Sequence, residues 1–387
     1  MSDDSVTKIT KQSWGSRLGG SIKSIGAGLI IFLIAFPLLF WNEGRSVKRQ
    51  KTLKEGAGVV VSVNPGTVNP ANNQKLVHVT GQITTDEILS DPLFQGVSVN
   101  ALKLRRNVKM YQWIESSQSE TKKKVGGGTE TTTTYSYAKG WSERLIDSSR
   151  FQQQTGHINP SSMPFSSQEF QAERANLGAF FMPSNIVAGL SYSDHFQVPN
   201  NAESNTHKSQ VSNGALYIGY DPMNPTIGDI QVEYDAVFPG TYSLVAKQTS
   251  NTFAPFLTKS GGEILLVKSG FLEADSMFKA AQSENRFLTW ILRLAGFLLM
   301  FFGLKMVFGP LGVLADVLPF LGSLMRVGTG LVSGILAFVL SLITIAIAWL
   351  FYRPVLGGIL LVVAIGTLIL LRKIWKRKKP DAVPAAG

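Results

Sequence analysis

The sequence predicts a membrane protein of four transmembrane α-helices in a 1 + 3 arrangement, with a large β-rich α+β extracytoplasmic domain between helices 1 and 2. Three observations predict it: apolar runs confined to the two ends, basic residues crowded beside those runs, and a strand-like middle. Of the formal charge of +11, residues 1–24 and 372–387 carry +7. A nucleic-acid binder spreads its basic residues over a folded face. Charge packed against apolar spans reads instead as the positive-inside signal, with attraction to anionic lipid. Nucleic acid is therefore excluded as a partner, and membrane lipid is included.

Residues 1–24 read as a basic cytoplasmic N-terminus. Residues 25–41 (IGAGLIIFLIAFPLLFW) carry no charge and reach the lower length limit for a helix crossing a ~30 Å hydrocarbon core. A signal peptide is the competing reading. Pro37, Phe40 and Trp41 stand where a small-residue cleavage site would be, so a retained anchor is favoured. Residues 287–308 form the second span, with Arg293 and Lys305 near its ends, where long basic side chains snorkel. Residues 327–352 and 355–371 form the third and fourth, a helical hairpin broken at Arg353-Pro354. Between the second and third spans, residues 309–326 are interrupted by Pro310 and Pro319 and carry Asp316, which suits a re-entrant or interfacial cytoplasmic-side linker. Four spans place both termini on one side, and residues 372–387 form a basic cytoplasmic tail.

Residues 46–284 form the extracytoplasmic domain, with two lobes expected to meet near 145–165. Runs at 58–63, 76–80, 243–247 and 264–268 are β-rich. Residues 230–238 alternate apolar and polar as a half-buried strand. The GGGTETTTT stretch from Gly126 reads as a hairpin tip, entered by 108–115 and left by 131–141. Helical patterning is confined to 167–176 and 273–288, the latter running into the second span.

No catalytic or metal constellation is found, and no cofactor is implied. The chain has no cysteine, so disulfides and thiolate chemistry are excluded. His78, His157, His195 and His207 lack the spacing of a helical zinc site. Asn159 and Asn224 are each followed by proline, which removes both as glycosylation acceptors. These absences favour a bacterial inner membrane, with the large domain periplasmic. Tyr111, Trp113, Tyr135, Tyr137 and Trp141 form a possible aromatic surface, for which cross-strand packing is the default reading. Asp316 is the sharpest single residue, because an ionisable group near the bilayer is a functional candidate. Pairing with Arg326 or capping a helix is the structural alternative.

Several stretches together resemble the transmembrane protein 43 (LUMA) family: FWNEGRSV from Phe40, LVHVTG from Leu76 and LRRNVKMYQWIE from Leu104. PTIGDIQV from Pro225, ENRFLTWILRLAG from Glu284 and LADVLPFLG from Leu314 follow in order. The resemblance covers about 36–345 and implies four spans with a large lumenal or periplasmic insert and no known enzymatic activity.

Within those motifs, Asn42, Glu43, Gly44 and Arg45 lie where the first helix leaves the bilayer, with Asn42 or Gly44 able to end it. Trp290 and Arg293 lie one turn apart at the matching level of the second span, so the two helices are expected to pack there. The expected function is a non-enzymatic scaffold of membrane or envelope complexes, assembling as a homo-oligomer or with other membrane proteins. Gly328, Gly330 and Gly334 are candidate small-residue packing positions. The alternative is lipid or small-solute handling in a polar cavity lined by Arg293, Lys305, Asp316 and Arg326. A membrane-tethered hydrolase is a third and weaker reading. Asp316, Pro319 and Arg326 complete the set of membrane candidates.

Overall fold

A computed structural model describes residues 4–355 apart from residue 193, with 357–359, 362 and 366 beyond. Most of the expected fourth span (355–371) lies outside the described residues, as does the 372–387 tail. The chain divides into two compact units, one of residues 1–12, 52–122 and 129–281, the other of 13–51, 123–128 and 282–387.

The first unit is the β-rich one. Its principal strands are β1 (Ser5–Gln12), β2 (Leu76–Thr84), β3 (Lys103–Lys123), β4 (Thr129–Ser142), β5 (Ile230–Val237) and β6 (Gly240–Thr249). One sheet runs β1–β4–β3–β5 and continues through Ala215–Ile218 to Gln210–Ser212. In a second sheet β2 pairs antiparallel with β6, and the ladder returns to β6 through Ala175–Leu177, Phe180–Met182 and Thr252–Ala254. The alternation of β5 buries Ile230, Val232, Tyr234 and Ala236 in the core of the first sheet. That core also holds a buried ion pair: Arg106 Nη1 lies 2.7 Å from both oxygens of Asp91, and Tyr234 Oη donates to the same carboxylate at 2.8 Å. Satisfying every oxygen in this way offsets the desolvation that an isolated charge would suffer.

The second unit is helical. It contains most of α1 (Trp14–Val59) and α2 (Ala274–Val307), with α3 (Gly309–Ala315) and α4 (Pro319–Tyr352). Three of these helices, α1, α2 and α4, are long and apolar enough to cross a membrane. Their shared core is Ala35, Leu39, Met300 and Ala337, packed by Phe32, Phe297 and Leu340. α1 and α2 approach closely at Gly28 and Gly303. A Cβ at Gly303 would stand 2.7 Å from the Phe32 nitrogen and 2.8 Å from the Gly28 carbonyl.

Several expectations are corrected. The segment expected as a cytoplasmic N-terminus over 1–24 is structured where described: Ser5–Gln12 is a strand in full antiparallel register with Thr129–Ser136, and Trp14 opens a helix. The linker 309–326 is α3 followed by the start of α4, because proline is tolerated in a first helical turn and Pro319 opens α4 instead of breaking it. Residues 167–176 form two strands, Gln168–Gln171 and Ala175–Leu177, where pairing to neighbours overrides local helical patterning. The two lobes do not meet at 145–165. Both cores draw on segments before and after that stretch, since the chain crosses between the sheets at Leu102–Leu104 and Ala236–Val237.

Candidate membrane-interface site

The Asn42–Arg45 motif lies in the middle of α1 and does not end it. At the level of Glu43, α1, α2 and α4 converge on one carboxylate. Glu43 is fully buried, and Arg293 from α2 grips it with Nε to Oε1 at 2.7 Å and Nη2 to Oε2 at 2.9 Å. Trp349 of α4 donates its indole Nε1–H to Oε2 at 2.8 Å. The fork geometry suits arginine, whose planar guanidinium presents paired donors that a lysine lacks. Arg293 also lies 4.8 Å from the Trp290 ring centroid and 5.7 Å from that of Trp349, so its upper face is shielded by aromatic surface.

Beside Glu43 and over the next turn of α1 the polar contacts continue. Asn42 Nδ2 donates to the Thr289 carbonyl at 3.1 Å, Arg45 Nη1 donates to Asn285 Oδ1 at 3.1 Å, and Asn285 Nδ2 donates to the Ser46 carbonyl at 3.0 Å. Gly44 faces the Tyr352 ring, where a Cβ would come within 2.6 Å. Side-by-side packing of the first two spans at this motif is therefore what the structure has. Trp349, Asn285 and Thr289 were missed. The only sequence signal for Trp349 is an indole near the end of a span, and that ordinarily marks an interface.

A second cluster surrounds Asp316, the fully buried C-cap residue of α3. Its Oδ2 accepts from Arg17 Nη2 and Arg326 Nη1, both at 2.6 Å, and Lys123 Nζ lies 3.1 Å from Oδ1. Arg17 Nη1 also donates to the Gly127 carbonyl, and Trp14 Nε1 to the Val313 carbonyl at 2.9 Å. Gly127 (φ +79°) takes the left-handed conformation that the turn requires, and a side chain there would strike Trp14. Asp316 thus both caps a helix and pairs Arg326, while Arg17 and Lys123 were not foreseen.

Glu43 and Arg17 are 26 residues apart on α1, about 39 Å at 1.5 Å per residue. Arg293 and Asp316 consequently do not line one cavity: they belong to clusters at opposite ends of the bundle, and Lys305 lies against Phe301, 5.8 Å from its ring centroid. Gly328 and Gly330 meet nothing within 4 Å, and close packing falls to Gly28 and Gly303 instead.

The aromatic group of the hairpin packs across strands. Tyr111 and Trp141 meet edge to face at 5.2 Å, and His157 stacks on Tyr137 at 4.0 Å and meets Trp113 at 4.6 Å. Tyr135 lies opposite Val6 of β1. His157 Nε2 bonds Asp4 at 2.7 Å. No group of metal-ligating side chains occurs among the described residues.

A family model described as Transmembrane protein 43 matches residues 110–354. Transmembrane protein 43 of Rattus norvegicus is 33% identical, over 97% of this chain and 96% of the relative. That of Homo sapiens is 33% identical over 94% and 93%, and the Drosophila melanogaster homolog is 29% identical over 86% and 90%. No solved structure matches the chain. With a fold of membrane-length helices and an inserted β-rich domain, and with relatives matched over nearly their full length, the chain belongs to the transmembrane protein 43 family.

Proposed function

We propose that this chain is a non-enzymatic scaffold of a multi-pass membrane, whose helices assemble with one another, with further copies or with other membrane proteins. The observation that carries this reading is how the bundle spends its charges. Glu43 is saturated by Arg293 and Trp349, and Asp316 by Arg17, Lys123 and Arg326. Both carboxylates hold separate chain segments in fixed register. The exposed α4 face around Gly328 and Gly330 adds a surface on which another helix can approach closely. Missing cysteines and usable sequons favour a bacterial inner membrane with the domain in the periplasm.

Two experiments test this. Gentle-detergent purification of the full chain, followed by mass determination, should recover a homo-oligomer or a stable complex; a strictly monomeric, partner-free protein overturns the scaffold reading. Because the chain has no cysteine, a Thr7→Cys, Thr134→Cys pair can be introduced at registered positions of β1 and β4. A disulfide forming in intact cells places the N-terminal strand beside the hairpin, and labelling of residue 7 only from the cytoplasm returns it to a free tail.

A further inference from the structure

Beside the Glu43 fork lies a half-open cavity of about 250 Å³, walled by Gln50, Asn285, Arg286, Trp290, Trp349 and Arg353, among others. Its electrostatics are unbalanced. Arg293, also on its wall, is neutralised by Glu43. Among the described residues, neither Arg286 on α2 nor Arg353 at the end of α4 forms an ion pair with a carboxylate. Arg353 reaches only the neutral Gln50 amide oxygen, at 3.0 Å. The cavity is thus a polar recess facing two uncompensated guanidiniums, with the Asn285 and Thr289 side chains in its wall.

Its surroundings identify the source of the anion. Trp290 is 66% exposed at the mouth, and from it Leu294, Leu298 and Phe302 continue along the same i, i+4 row of α2, all exposed. An outward apolar stripe of this kind on a membrane-length helix faces lipid tails, and tryptophan at its end marks the headgroup level. The recess is large enough for a headgroup and too small for acyl chains, which the stripe would receive instead.

We infer that this cavity is a binding site for the phosphate of an anionic glycerophospholipid, with Arg286 and Arg353 as the phosphate-binding residues and Trp290 seated at the headgroup–acyl boundary. Guanidinium donors match phosphate oxygens in pairs, and charge-assisted bonds are the strong class. The inference is independent of the scaffold reading, since a monomer could bind lipid equally well.

Native mass spectrometry of the intact protein tests it, with phosphatidylglycerol and phosphatidylcholine offered in equal amounts. Wild type should retain phosphatidylglycerol preferentially. R286Q/R353Q should lose at least about tenfold in that preference, the scale of one charge-assisted hydrogen bond. R286K/R353K keeps the charge without the fork and should fall between the two. Helical circular dichroism and unfolding temperature in detergent should be unchanged in both variants, which separates lost binding from lost folding. Equal retention of phosphatidylglycerol by wild type and R286Q/R353Q overturns the proposal. So does protection of wild type by inorganic phosphate with no phosphatidylglycerol retained, which would assign the same chemistry to the free ion.

Discussion

The two carboxylates buried in the helical unit make an instructive pair. Glu43 meets one guanidinium and one neutral indole donor, so its cluster is charge-balanced and closed by three helices. Asp316 meets three cations and carries a formal excess of two positive charges. The Glu43 fork lies well inside the protein, with Arg293 only 16% exposed; at Asp316, Arg17 is as buried at 13%, whereas Lys123 and Arg326 retain 27% and 35% exposure. Identical chemistry should therefore contribute unequally. Glu43 has exchanged water for a fixed set of donors and depends on them fully; around Asp316, water still screens part of the excess charge.

The largest effect is expected at the closed cluster. Glu43→Ala should destabilise the protein by about 3–5 kcal/mol, because Arg293 is left buried without its counter-ion. Thermal unfolding in detergent measures it. Arg293→Ala should cost a similar amount, while Glu43→Met with Arg293→Met should recover most of the loss, since an apolar pair leaves no charge stranded. If the single variants unfold like wild type, the fork does not hold these helices together.

Asp316→Ala should cost less, about 1–3 kcal/mol, and added salt should shrink the deficit because the freed cations are partly hydrated. A salt-insensitive loss as large as that of Glu43→Ala would erase the distinction between the clusters.

Midway between them, Gly303→Ala should destabilise by roughly 1–3 kcal/mol, since the new methyl meets the α1 backbone, which cannot rotate away. Gly328→Ala on the open face should instead be neutral or stabilising by up to about 1 kcal/mol, through helix propensity alone. Were Gly328→Ala the more damaging change, the α4 face would have to be occupied in the assembled protein.

The smallest effect lies outside the membrane, in the β-rich unit. Burial pushes the Asp235 carboxyl up, but hydrogen bonds from Arg105, Asn107 and His195 outweigh it and hold the group below the usual carboxylate range. Its contribution is present above the ordinary carboxylate pKa and is lost as pH falls through the lowered folded value. Asp235→Asn should therefore lower stability slightly at neutral pH, converge with wild type in acid and so flatten the acid limb of the stability–pH curve; an unaltered acid limb would show that the ion pair adds nothing.

How much was legible in advance follows from the range of the signals. Hydropathy runs and β alternation are local, so the membrane-length helices, the inserted β-rich domain, the hairpin tip and the buried face of β5 could be read directly. Glu43 and Arg293 could be matched because each lies at a recognisable depth in an apolar run, and depth along a span is a one-dimensional coordinate. Trp349, Arg17 and Lys123 offered no such coordinate, being separated from their partners by 306, 299 and 193 residues. Pro319 misled because proline's effect depends on whether it falls in a first helical turn or inside a helix. The assignment of the Arg286–Arg353 recess likewise needed two helix ends brought together.

By itself, then, the sequence determined which segments are apolar enough for a bilayer, that a β-rich domain separates the first from the others, and that no cysteine chemistry operates. Only the tertiary structure decided which charges neutralise one another, that the N-terminal strand joins the hairpin sheet, and which arginines form no ion pair among the described residues. The physical reason is that burial and periodicity are summed along the chain, whereas the energy of a buried charge is set by whichever groups the fold brings within about 3 Å of it.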